Sequence, residues 1–202
     1  MVMDALRRGV AYAPPPPQFE SSLSYDALKG MIADLHRPTA EHSIMVRICA
    51  MRIGQAMRLP GLDLNVLSIA AELHDIGKIY IPTRILDNTG KLSESDWQIV
   101  RQHPLSGGAA AERSFRSMPD VAVCVRLHHE RLDGSGYPYG LSGWRIPQLA
   151  RIVAVADAFS ALMEDRPYRP AYTEAEALHI LIVDEAGKYD EELLSALAGC
   201  IC

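Results

Sequence analysis

LDLNVLSIAAELHDIGK, residues 62–78, is the stretch on which the fold class turns. Val66, Leu67, Ala70 and Leu73 recur at the three- and four-residue steps of an α-helix, and His74 falls on the same face. Asp63 is placed to cap the start of this helix and Gly77 to close its end. A helix this apolar has to be covered by others, and the chain on either side provides them. Upstream, Thr39 reads as the N-cap of a helix whose Met45, Ile48, Cys49, Ile53, Ala56 and Met57 form a stripe that includes His42, ended by Pro60-Gly61. Downstream, IYIPTRILDNTGKL (79–92) shows no period, and Ser93 with Asp96 then opens a helix that reaches His103 before Pro104 stops it. Further helices are expected over about 106–117, 119–131, 147–164, 173–186 and 190–199, with a Thr173–Glu176 capping box before the fourth of these. LDGSGYPYGLSGWRI (132–146) is too rich in glycine and proline to be helical and reads as a long functional loop. With no alternating strand and no internal repeat, the class is all-α.

At 202 residues the chain has room for one sizeable domain. Residues 1–37 read as a tail with a polyproline run, Pro14 to Pro17, and one helix over 24–35 that Gly30 weakens; residues 38–202 read as the domain proper. A formal net charge of −5 argues against a binder of long nucleic acid. No apolar run approaches the length of a membrane span, and the first residues lack the apolar core of a signal peptide, so a cytoplasmic protein without membrane insertion is expected. Cys49, Cys124, Cys200 and Cys202 follow no disulfide or zinc-finger spacing and read as reduced thiols.

Histidine is the informative residue type. His74-Asp75 closes one apolar helix and His128-His129 closes another, in VAVCVRLHHE (121–130). His103 ends a third, His42 lies on the apolar face of a fourth, and Asp157 stands within RIVAVADAFSAL (151–162), where an unpaired carboxylate would be costly to bury. Each alone has a plainer role, as a core histidine or a hydrogen-bonded aspartate. Five histidines and two aspartates on apolar faces or helix ends point jointly to metal. Imidazole and carboxylate donors without thiolate suit iron or manganese, with zinc or nickel also compatible. Seven ligands exceed one tetrahedral ion and fit two divalent ions sharing a carboxylate, the arrangement that hydrolyses phosphoesters. Lys78, Arg166, Arg169 and the loop tyrosine Tyr137 are placed to meet an anionic substrate.

HDIGK (74–78), HHERLDGSGYP (128–138) and ARIVAVADAFSALMEDRPYR (150–169) together resemble the HD-GYP domain, a subgroup of the HD metal-dependent phosphohydrolases. The resemblance runs from about His42 to about Leu197 and implies an HD-domain helical bundle with a long GYP-containing loop. It further implies a phosphodiesterase that opens cyclic di-GMP to pGpG and often proceeds to GMP. By the same resemblance, His42, His74, Asp75 and Asp157 would hold one metal, with Asp75 bridging to a second held by His103, His128 and His129. Asp75 and Lys78 would be catalytic, and Lys78, Tyr137, Arg166 and Arg169 would contact the dinucleotide. Such domains also meet diguanylate cyclase partners through the GYP loop. The chain departs from the family pattern at Pro38, where some relatives carry a glutamate ligand for a third metal, so a binuclear site is implied. It departs again at Ser160, where aspartate is usual, and at Trp144, where an acidic residue is common. The readings set against this one are a binding module without catalysis and the same chemistry on another cyclic dinucleotide.

Overall fold

The computed structural model describes residues 23–165 and 169–201, which leaves the polyproline run, Arg166 and Cys202 outside the described residues. Ten α-helices are found among the described residues: α1 (Tyr25–Leu35), α2 (Arg37–Ala56), α3 (Gly61–Leu73), α4 (Thr83–Leu86), α5 (Glu94–Val100), α6 (His103–Ser114), α7 (Pro119–Leu127), α8 (Gln148–Leu162), α9 (Glu174–His179) and α10 (Glu191–Ile201). A 3₁₀ segment, Ile76–Tyr80, follows α3, and a single π turn, Ile180–Asp184, extends α9. Between α7 and α8 the chain forms the long loop expected from its glycines, with one isolated bridge between Asp133 and Ser142 and no strand among the described residues.

The core lies where α2, α3, α7 and α8 meet, built from Val46, Ile53, Leu67, Leu73, Val125, Leu127, Ile152 and Val155. Helix α1 adds Leu28 and Ile32 to this core, and α10 adds Leu193 and Leu197. The buried Glu72 of α3 binds the outer helices to the centre. It accepts a hydrogen bond from the Tyr25 hydroxyl of α1, lies 2.9 Å from Lys29 Nζ, and lies 3.0 Å from Arg47 Nε of α2. A buried carboxylate needs such partners, since taking its charge out of water alone costs several kcal/mol.

Several boundaries differ from the sequence-based expectation, each for a local reason. Helix α2 begins at Arg37, with His36 rather than Thr39 as N-cap, because the His36 ring accepts from the Thr39 amide and Pro38 is tolerated in a first turn. The buried face of α2 is His42, Val46, Cys49, Ala50 and Ile53, whereas Met45 and Ile48 are 53% and 37% exposed. Asp63 lies inside the first turn of α3 rather than capping it, favourably placed for the helix dipole. Helix α5 stops at Val100, and His103 opens α6 instead of closing its predecessor, with Pro104 in the first turn where its missing N–H costs nothing. The Ser93 cap and the Thr173–Glu176 capping box form as expected.

Gly77 positions the functional end of the bundle. A Cβ built on it would sit 2.0 Å from the His103 carbonyl oxygen and 2.7 Å from the Gly107 amide nitrogen. The 3₁₀ segment therefore presses backbone to backbone on the first turn of α6. Gly77→Ala should destabilise the fold by about 3 kcal/mol or more in urea unfolding. Gly30→Ala, on an exposed helical position with nothing within 4 Å of the new methyl, should stabilise it by about 0.5–1 kcal/mol.

Candidate metal centre

The ends of helices converge at one point. His74 is the C-cap of α3 and Asp75 follows it; His128 is the C-cap of α7 and His129 follows it. His103 begins α6, while His42 and Asp157 come from the bodies of α2 and α8. Their donor atoms form three overlapping groups, within each of which the atoms lie within 4.8 Å of one another: Asp75 with His103, His128 and His129; His42 with His74 and Asp75; and His74 with His128 and Asp157. Thus all seven sequence-predicted ligands come together; Asp75, His74 and His128 are each common to two groups, and of these only Asp75 has two oxygens with which to bridge. Its Oδ1 lies 3.1 Å from His103 Nε2 and its Oδ2 lies 3.3 Å from His74 Nε2. Asp157 Oδ1 lies 3.0 Å from His42 Nε2, and its Oδ2 lies 3.8 Å from His129 Nδ1.

Helix ends leave backbone carbonyls without helical partners, and three of the histidines use them. The Nδ1–H of His74 donates to Ala71 O at 2.8 Å, that of His103 to Val100 O at 2.7 Å, and that of His128 to Val125 O at 2.8 Å. His42 Nδ1 is bound in the same sense to the Glu164 carboxylate, 2.6 Å away. Pinning Nδ1–H on backbone carbonyls fixes the tautomer of His74, His103 and His128, so their Nε2 lone pairs point inward, as a metal-binding imidazole requires. The Nε2 atoms of His103 and His128 then face each other at 3.2 Å, and buried His74 Nε2 makes no hydrogen bond. Lone pairs aimed at one another and at carboxylate oxygens repel unless a cation stands between them. This donor set therefore fits a divalent metal.

Charge at the site is arranged accordingly. Burial opposes ionisation of Asp75, but Lys78 and the neighbouring histidines outweigh it and hold its pKa well below the usual carboxylate range. Asp157 is likewise held low against burial by its hydrogen bond to His42 and by His74 and His129. Burial, reinforced by adjacent imidazoles, keeps His128 and His129 neutral. Burial also works against a charge on His42, yet hydrogen bonds to Asp157 and Glu164 lift its pKa to about 9 in the metal-free protein. Lys78 Nζ lies 2.5 Å from Asp75 Oδ2 and remains partly exposed, at the edge of the cluster.

Tyr137 closes one wall. Its ring stacks on His129 with centroids 4.6 Å apart and planes at 28°. The loop bearing it is held from below by Glu130, a buried residue that the sequence reading left without a role. Glu130 Oε1 accepts from the Tyr139 amide at 2.7 Å and Oε2 from the Leu141 amide at 2.8 Å. An acidic side chain just ahead of a loop full of amides in need of acceptors was the available signal. Gly136 permits the approach, since a Cβ there would meet the His129 carbonyl oxygen at 2.4 Å. Glu164, which orients His42, carried no comparable sequence signal. Arg169 is engaged elsewhere, donating to the carbonyls of Ala161, Leu162 and Pro170 and lying over the Tyr172 ring, where it caps the end of α8. Arg166 lies outside the described residues. Ser160 is buried, and Trp144, near the end of the loop, is 88% exposed.

The family described as HD domain matches residues 26–193. Among curated proteins, the cyclic di-GMP phosphodiesterase response regulator RpfG of Xanthomonas campestris pv. campestris is 40% identical over 146 residues, covering 72% of this chain and 39% of that protein. The 3'3'-cGAMP-specific phosphodiesterase 3 of Vibrio cholerae is 37% identical over 172 residues, covering 83% of this chain and 36% of that protein. The chain thus spans well under half the length of these relatives. Among solved structures, the HDG"Y"P protein Bd1817 of Bdellovibrio bacteriovorus superposes with a TM-score of 0.67 at 23% identity, over 80% of this chain and 51% of that one, and shares the fold.

Removing the clasp beneath the loop tests its part in the site. Glu130→Ala should cost about 2–3 kcal/mol and abolish hydrogen-exchange protection at the Tyr139 and Leu141 amides. Retained protection at both amides would exclude the clasp.

Proposed function

This chain belongs to the HD domain family, in its HD-GYP branch, and on that premise we propose that it is a metal-dependent phosphodiesterase that opens cyclic di-GMP. The observation that carries the reading is the sharing of Asp75 between two ligand groups. In this reading His42, His74, Asp75 and Asp157 hold one divalent ion, and Asp75, His103, His128 and His129 hold a second. Iron or manganese is the preferred metal, because the donors are imidazole and carboxylate without thiolate. Paired ions of this kind supply Lewis acidity toward a phosphoryl oxygen and activate water at neutral pH.

The chain's own groups do the rest. Asp75 and Asp157 stay ionised and balance the charge of the ions. The pinned imidazoles keep the donor set rigid, so little reorganisation accompanies the reaction. Lys78, partly exposed beside Asp75, turns its ammonium toward the scissile phosphate and neutralises charge there. Tyr137, fixed on His129, limits where the sugar-phosphate ring can lie. Arg166 and Arg169 are proposed substrate contacts on the segment after α8, with Arg169 exchanging its backbone carbonyls for the dinucleotide. The choice of cyclic di-GMP is supported by the relatives named as cyclic di-GMP phosphodiesterases, while the 3'3'-cGAMP enzymes among them define the competing substrate.

The test joins metal analysis of anaerobically purified protein to a turnover assay with cyclic di-GMP and 3'3'-cGAMP. The expected outcome is about two ions per chain and cleavage of cyclic di-GMP to pGpG, with metal and turnover both lost in Asp75→Ala. Full metal occupancy without turnover of either dinucleotide would overturn the reading, and preference for 3'3'-cGAMP would overturn the substrate. Lys78→Met should keep its metal while kcat/KM falls by about 10- to 100-fold.

A further inference from the structure

Helix α5 ends beside the site, where its last residue, Val100, accepts a hydrogen bond from His103 at 2.7 Å, and none of its residues is buried. Two side chains at its end stand out. Trp97 leaves 43% of its surface exposed, unusual for so large an apolar ring in a helix with no core behind it. One turn on, the Arg101 guanidinium lies 6.0 Å from the Trp97 ring centroid and 5.9 Å from that of Tyr137. Tyr137 is in turn stacked on the candidate ligand His129. His129, Tyr137, Arg101 and Trp97 therefore form a row that leads from the candidate ligands to the surface. Both cation–π distances are at the outer limit for that interaction, so the rings locate the guanidinium without occupying it. Beyond these two rings, the Arg101 side chain forms no ion pair or hydrogen bond among the described residues. Its five N–H donors are available at the edge of a site read as taking a dianionic dinucleotide.

We infer that Trp97 and Arg101 form a guanine subsite for the half of the dinucleotide that is not being cleaved. This rests on the phosphodiesterase reading above and adds the part that selects the base. A flat base laid on the exposed indole is held by stacking, which tolerates any base. The guanidinium supplies the choice. Its planar fork matches the O6 and N7 acceptors of guanine, whereas adenine presents an amino donor in place of O6. Arg101 is thus a specificity-determining residue and the indole its platform, on α5 and its C-cap, a segment that supplies none of the candidate metal ligands.

The experiment uses the full chain loaded with manganese. Arg101→Ala should raise KM for cyclic di-GMP about 10-fold or more, with a much smaller change in kcat. It should also reduce the preference for cyclic di-GMP over cyclic di-AMP by a similar factor. Trp97→Ala should raise KM for both dinucleotides, and Trp97→Phe should recover most of the loss. The chain has two tryptophans, so Trp144→Phe leaves Trp97 as the sole emitter. Stopped-flow mixing with cyclic di-GMP should quench its fluorescence before turnover. Equal losses for cyclic di-GMP and cyclic di-AMP in Arg101→Ala would overturn the guanine contact, and an unquenched Trp97 at saturating dinucleotide would overturn the platform. If the wild-type chain cleaves no cyclic dinucleotide, the phosphodiesterase reading fails by itself. The Trp97 quench, with and without Arg101→Ala, then still decides the subsite.

Discussion

Two ionised carboxylates, Asp75 and Asp157, sit inside the bundle and have to be balanced there. An isolated buried carboxylate costs many kcal/mol and would ordinarily take up a proton. Here the surroundings forbid that escape: Lys78 and the neighbouring histidines favour the charged form of Asp75, and His42, His74 and His129 favour that of Asp157. The centre is an anionic cage held ready for cations, and the folding of the surrounding helices places it. Such a cage is unfavourable when empty, so metal binding and folding stability are linked.

Economy in the use of helix termini explains how seven candidate ligands reach one point. A helix end leaves carbonyls that need donors, and a ligand histidine needs an acceptor for the nitrogen that does not bind metal. At Ala71, Val100 and Val125 these two needs meet. Breaking a helix at each of these places supplies both an oriented imidazole and a satisfied backbone. The same logic holds at α8, where Arg169 occupies the terminal carbonyls. His129 and His42 are the exceptions. His129 turns Nδ1 toward Asp157, 3.8 Å away. His42 comes from the body of α2, where the carbonyls are already used, and takes its acceptor from Glu164 on another segment.

Much of this was readable beforehand because it was local. The apolar period through Val66, Leu67, Ala70 and Leu73 names a helix, and histidines at helix ends mark the residues that converge in the candidate site. Capping by Ser93 and Thr173 is a matter of three residues and was legible for that reason. The misreadings came where two local rules competed. Pro104 can stop a helix or sit in its first turn, and the local sequence does not choose between the two. Met45 and Ile48 are as apolar as Val46 and Ile53, and which stripe of α2 turns inward is settled by its packing on α3 and α8. Glu130, Glu164 and Arg101 act across distances of 9 or more residues in the chain, and no periodicity reports such contacts.

The approach of Gly77 to His103 and Gly107 gives the centre a hard stop. Side chains in a core can shift rotamers and absorb small changes, but two backbones in contact cannot yield. The separation between Asp75 and His103 is therefore gauged by main-chain atoms, as a spacer block sets a gap. Substitutions that loosen the outer helices would change how firmly the bundle is held while leaving this separation as it is. A protein built so can drift widely in its packing and keep the dimension on which its ions would depend.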